Sequence, residues 1–182
     1  MDFKEVLQII LKEFEKKGVR YGLIGGFALG VLGVSRATLD LDFLVLKEDL
    51  PKVQEIMAEL DYKCAYKSED VSQYVSGVKI FGEVDFLHAF RSASIDMLGR
   101  AIEKKVFNGE IRVKVLIPED IIGLKLQAAE NDKSRSAKEF ADIEALMDYH
   151  KGKLDWGLIE EYFNLFENRK KFSGLRQKYG KA

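Results

Sequence analysis

The segment Asp40-Leu41-Asp42-Phe43-Leu44-Val45-Leu46 is an apolar run with two carboxylates at its start. Successive side chains on a strand alternate faces, so Thr38, Asp40 and Asp42 share one side while Leu39, Leu41 and Phe43 take the other. Like charges placed side by side on such a strand repel and resist burial, and each raises its neighbour's pKa unless positive charge lies between them. Two readings follow. The strand lies at a sheet edge with its aspartates in water, where charge guards against aggregation. Alternatively the pair holds a divalent cation, for which magnesium is the natural choice, since it takes oxygen ligands and is commonly bound by one or two carboxylates plus substrate phosphates.

The surrounding sequence supplies the frame. Phe3, Val6, Leu7, Ile10, Leu11 and Phe14 recur at helical spacing up to Gly18. Arg20 to Ile24 then reads as a buried strand, Gly25-Gly26 as a turn and Phe27 to Leu32 as a short helix. After the Asp40 strand, Pro51 opens a further helix running to about Leu60. Tyr62 to Leu87 reads as two or three short strands ending in Val84-Asp85-Phe86-Leu87. Ser94 to Lys104 reads as helix, and Glu110 to Leu116 returns to strand. Beyond Pro118 three helices are expected, over 118–131, 136–149 and 155–167, without a strand. The expected fold is α+β (α/β), a mixed sheet flanked by helices and followed by a helical C-terminal part. The organisation is 1–117 for the sheet core, 118–168 for the helical part and 169–182 for a basic tail, whose last 15 residues hold six cations and no acid.

Bulk properties narrow the function classes. The 29 basic and 30 acidic residues nearly cancel, which argues against a protein that coats nucleic acid through a general positive field. Cys64 is the single cysteine and only two histidines accompany it, so no zinc spacing can be written and no internal disulfide can form. Tyr21 to Val34 is apolar, but its five glycines and its length fall short of the ~20 residues of a membrane span. With no cationic start or apolar leader, a cytoplasmic location is expected. Gly25-Gly26 admits close backbone approach, and a helix that starts there offers unpaired N–H groups to an anion such as a triphosphate. A tight, closely packed turn is the other reading of the same pair.

Taken in order, Leu23-Ile24-Gly25-Gly26-Phe27-Ala28, then Arg36-Ala37-Thr38-Leu39-Asp40-Leu41-Asp42, then Glu83-Val84-Asp85-Phe86, the sequence resembles the DNA polymerase β-like nucleotidyltransferase superfamily. It is most similar there to the minimal bacterial branch of AbiEii-type toxins. The resemblance reaches into the helical part through Ile121-Ile122-Gly123-Leu124-Lys125 and Lys138-Glu139-Phe140-Ala141-Asp142, where Glu139 replaces the branch's usual Asp. It covers roughly residues 20 to 150.

The resemblance implies a nucleotidyltransferase-type sheet and an enzyme that moves NMP from an NTP to an acceptor hydroxyl, releasing pyrophosphate. Asp40, Asp42 and Asp85 would be the catalytic and metal-binding carboxylates, holding Mg²⁺ or Mn²⁺, two ions in all. Gly25, Gly26, Arg36, Thr38, Lys125, Lys138 and Asp142 would serve the nucleotide. A surface ion pair is the competing reading for Lys138 and Asp142. The acceptor stays open among tRNA or other RNA, a protein and a small molecule. The branch also implies an antitoxin protein as partner; no membrane partner is expected, since Tyr21 to Val34 is too short to span one. A catalytically silent nucleotide- or partner-binding module on the same fold is the alternative.

Overall fold

The structure, a computed structural model, describes residues 1–180; Lys181 of the expected tail lies outside them. The chain divides into two compact units, one of Met1–Val31 with Ser35–Leu116 and one of Leu32–Val34 with the residues from Ile117 on.

The first unit opens with α1 (Phe3–Lys17), whose first turn is capped by Asp2 accepting the Glu5 N–H at 3.1 Å and whose end is closed by Gly18 at φ +63°. Then come β1 (Tyr21–Ile24), α2 (Gly25–Val31), β2 (Asp40–Leu46), α3 (Leu50–Glu59), β3 (Tyr62–Lys67), β4 (Val71–Ser76) and β5 (Glu83–Ala89). α4 (Ser92–Arg100), β6 (Ile102–Val106) and β7 (Ile111–Val115) complete it. The strands form one mixed sheet in the order β3-β4-β5-β2-β1-β7-β6. β2 is its central strand, parallel to β5 and antiparallel to β1. The aspartates therefore do not stand on an edge strand, and the aggregation-guard reading is excluded.

One face of the centre is aromatic. Phe14 of α1 meets Phe43 and Phe86 at ring separations of 5.6 and 6.2 Å, and Phe43 stacks on Phe86 at 5.8 Å. All three are fully buried, each contributing roughly 2–3 kcal/mol by leaving water. β2 is covered on both faces from Phe43 to Leu46, whereas Asp40 and Asp42 stay half-buried. Leu39 precedes the strand and is 85% exposed, so it does not join the buried face. The expected helix ran on to Lys104; Ile102 to Val106 instead forms an edge strand against β7, pairing from Ile102↔Val115 to Val106↔Ile111. The ladder offered by β7 overrides the helical preference of its Glu and Lys residues.

The second unit contains α5 (Pro118–Asn131), α6 (Ser136–Tyr149), α7 (Trp156–Leu165) and α8 (Arg169–Tyr179). Pro118 stands in the first turn of α5, and Asp155 caps α7 by accepting from the Gly157 and Leu158 N–H groups. Ile122, Leu126, Ile143, Met147 and Phe163 are fully buried within it. The segment expected as a basic tail is a packed fourth helix. Phe172, Leu175 and Tyr179 recur at i, i+3 and i+7 and are buried, a stripe hidden in sequence by the cations around it. No helix among the described residues is long and apolar enough to cross a membrane.

Candidate active site

The parallel register of β2 and β5 sets Asp42 directly beside Asp85, with Asp40 beside Glu83. Asp40, Asp42 and Asp85 each bring a carboxylate oxygen within 4.8 Å of the other two. Each carboxylate has its own support. The Thr38 hydroxyl donates to Asp40 Oδ1 at 2.6 Å, and Gln73 Nε2 of β4 donates to Asp85 Oδ2 at 3.0 Å. Asp42 is backed by Gly25: β1 runs antiparallel to β2, ending with Ile24 opposite Asp42, and Gly25 follows at φ +69°. A Cβ on Gly25 would lie 1.9 Å from Asp42 Oδ2, and one on Gly26 would lie 2.6 Å from Thr38 Oγ1. The glycine pair thus makes room for the carboxylate strand itself.

Burial pushes the Asp85 carboxyl above its ordinary 3.8; the Gln73 amide opposes this, while the negative charges of Asp40 and Glu83 push the same way. Asp85 Oδ1 is buried without a hydrogen-bond partner. A buried acceptor left in that state costs about 1–3 kcal/mol, so it is retained for something other than stability. Three convergent carboxylates with one orphaned oxygen fit a hard divalent cation, whose ligands are oxygens.

The other expected residues lie on the connection into β2 and in the helical unit. Arg36 lies half-buried on the connection into β2. In the helical unit, Lys125 Nζ contacts Glu139 at 2.9 Å and Asp142 at 2.6 Å, and Arg135 adds a 2.7 Å pair to Glu139. Asp142 takes Lys125, while Lys138 is exposed. Burial raises the Glu139 carboxyl, but Lys125 and Arg135 outweigh it and hold the group below its ordinary 4.5. Glu139 thus uses its extra methylene to reach two cations. His88 turns away from Asp85 and is buried between Ser72 Oγ (3.0 Å) and the Glu69 carbonyl (2.8 Å). Gln73 and Arg135 were not singled out in the sequence; Gln73 is marked only by being polar on a strand whose neighbours Ser72 and Tyr74 face inward.

A mixed sheet carrying a carboxylate triad at the mouth of its central strands defines a class. The chain belongs to a nucleotidyltransferase family, described as "Uncharacterised nucleotidyltransferase", whose model matches residues 3–173. It is a nucleotidyltransferase. Among solved structures, the antibiotic-resistance factor ANT(2'')-Ia is similar with a TM-score of 0.66 at 17% identity, covering 99% of both chains. An antigenic nucleotidyltransferase-like protein from Paracoccidioides brasiliensis is similar at 0.58 and 15% identity, over 97% of this chain and 92% of that one. The lincosamide antibiotic adenylyltransferase LnuA is similar at 0.54 and 17% identity, over 80% and 96%. At these identities the likeness is one of fold. A sequence comparison with the curated proteins gave no match.

Proposed function

We propose that the chain is a metal-dependent enzyme that transfers NMP from an NTP to a hydroxyl of a small molecule. The observation that carries this reading is the convergence of Asp40, Asp42 and Asp85, with Asp85 Oδ1 buried and unpartnered. Asp40, Asp42 and Asp85 would hold Mg²⁺ or Mn²⁺. Bound there, divalent ions neutralise phosphate charge and stabilise the attacking and leaving oxygens of an in-line displacement. Asp85, beside Asp42 and pushed toward higher pKa, receives the proton of the acceptor hydroxyl. As that oxygen bonds to the α-phosphorus, the bond from the α-phosphorus to the bridging oxygen opens and pyrophosphate leaves. Thr38 fixes Asp40, and Gly25 and Gly26 leave room for the Asp42 and Thr38 side chains; a phosphate role for the glycine pair rests on the family resemblance. The roles of Arg36, Lys125, Lys138 and Asp142 toward the nucleotide rest on the family resemblance.

The small-molecule acceptor is supported by fold extent. The likeness to ANT(2'')-Ia spans both chains almost end to end, and that protein has been seen with adenylyl-2''-tobramycin. Incubation with Mg²⁺, each α-labelled NTP and a panel of polyhydroxylated small molecules, RNA and protein tests the reading. Label on a small molecule, lost in Asp40→Ala, supports it. Label on RNA or protein moves the acceptor to that class. Nucleotide binding with neither label transfer nor pyrophosphate release overturns the catalytic reading in favour of a binding module. Under the AbiEii-type resemblance the same chemistry would make the chain the toxin of a pair in the cytoplasm; growth arrest on expression that Asp40→Ala relieves is the observation that role requires.

A further inference from the structure

We propose that Gln73 is a positioning residue that fixes which oxygen of Asp85 faces the reaction. This rests on the reading of the triad as a cation site. Gln73 and Asp85 are direct partners in the antiparallel β4/β5 register, a separation that their side chains span without strain. The Gln73 Nε2 donates to Oδ2 at 3.0 Å, which leaves the buried Oδ1 as the oxygen without a partner, the one a cation would take.

The residue type matters as much as the place. A lysine or arginine here would neutralise the carboxylate and remove its demand for a cation. An apolar side chain would leave the Asp85 carboxylate free to rotate and would bury both of its oxygens unmet. An uncharged donor holds the rotamer and leaves the full negative charge in place. The same device recurs at Asp40, where the uncharged Thr38 hydroxyl takes Oδ1. Outer groups of this kind orient metal ligands in general, and their loss costs about 10–100-fold in metal affinity or activity.

The test uses the full chain and Mn²⁺ titration followed by electron paramagnetic resonance, without nucleotide. Gln73→Met keeps length and volume but removes the donor. It is expected to weaken the Mn²⁺ Kd about 10–100-fold and to lower kcat, with the acceptor's KM unchanged. Gln73→Asn withdraws the donor by one methylene and should lose less. Ser72→Ala, which breaks the bond to His88 on the other face of β4, should lower the unfolding midpoint and leave the Mn²⁺ Kd alone. Wild-type Mn²⁺ affinity in both Gln73 variants, while Asp40→Ala loses it, overturns the role of Gln73. Mn²⁺ binding that survives Asp40→Ala overturns the cation site itself, whatever the Gln73 variants do.

Discussion

Two clusters of charged side chains, one in each unit, obey opposite rules. In the helical unit the carboxylates of Glu139 and Asp142 meet Lys125, and Glu139 also meets Arg135. At the sheet, carboxylates face one another, and Asp40 and Asp85 take hydrogen bonds from the uncharged Thr38 and Gln73. The consequence appears in the direction of titration, since Glu139 is held below its ordinary value and Asp85 above it. A cluster closed by its own cations serves cohesion. One that gathers negative charge around an orphaned oxygen demands something from outside.

The most severe way to test the contrast is to remove a carboxylate from each. Asp42→Ala should cut transfer on the order of 10³-fold. If that variant keeps turnover, the sheet cluster is not the reacting centre. Gly25→Ala should come next, because its Cβ would meet Asp42 at 1.9 Å from a backbone at φ +69°. Displacing a catalytic group by about 1 Å costs roughly 10²-fold, so kcat is the quantity to follow. Lys125→Met should act chiefly on stability, removing the buried cation that Glu139 and Asp142 share at a cost of about 3 kcal/mol, read as a lower denaturant midpoint.

The smallest effect is a divergence with pH in the metal-free protein. Glu139 has a depressed folded pKa, so its contribution is present above 4.5 and lost as pH falls through the folded value. Asp85 has a raised one, so its contribution is full below 3.8 and lost as pH rises through the folded value. Glu139→Gln should therefore flatten the acid-side loss of stability, and Asp85→Asn should raise the midpoint near neutrality. Denaturant melts from pH 7 down to about pH 3 check both slopes.

The sequence carried Asp40 and Asp42 through strand alternation, their spacing from Gly25-Gly26 and the family resemblance together, and Asp85 through that resemblance and its order behind them. It could not place β2 at the centre of the sheet, because that depends on β5 pairing in parallel across more than 30 intervening residues. For the same reason Gln73 was invisible: its meaning lies in a register, Gln73↔Asp85, that no local pattern encodes. Gly25-Gly26 was read as either a phosphate turn or a packing turn. The geometry adds a reason for glycine independent of phosphate, the carboxylate behind it. β6 and α8 were misread through composition, where lysine and glutamate masked a ladder in the first, and lysine and arginine an apolar stripe in the second.

Because β1 ends where β2 and β5 begin, the three carboxylates occupy one rim of the sheet, and the connections entering β2 and β5 border that rim. Those connections carry exposed Leu39, Val78 and Ile80, outside the buried core. A lineage of such chains can therefore rewrite these approaches, in length and in character, without disturbing the strands beneath. Acceptor choice is then expected to drift quickly among descendants while the chemistry stays fixed, a division of evolutionary tempo along a single sheet.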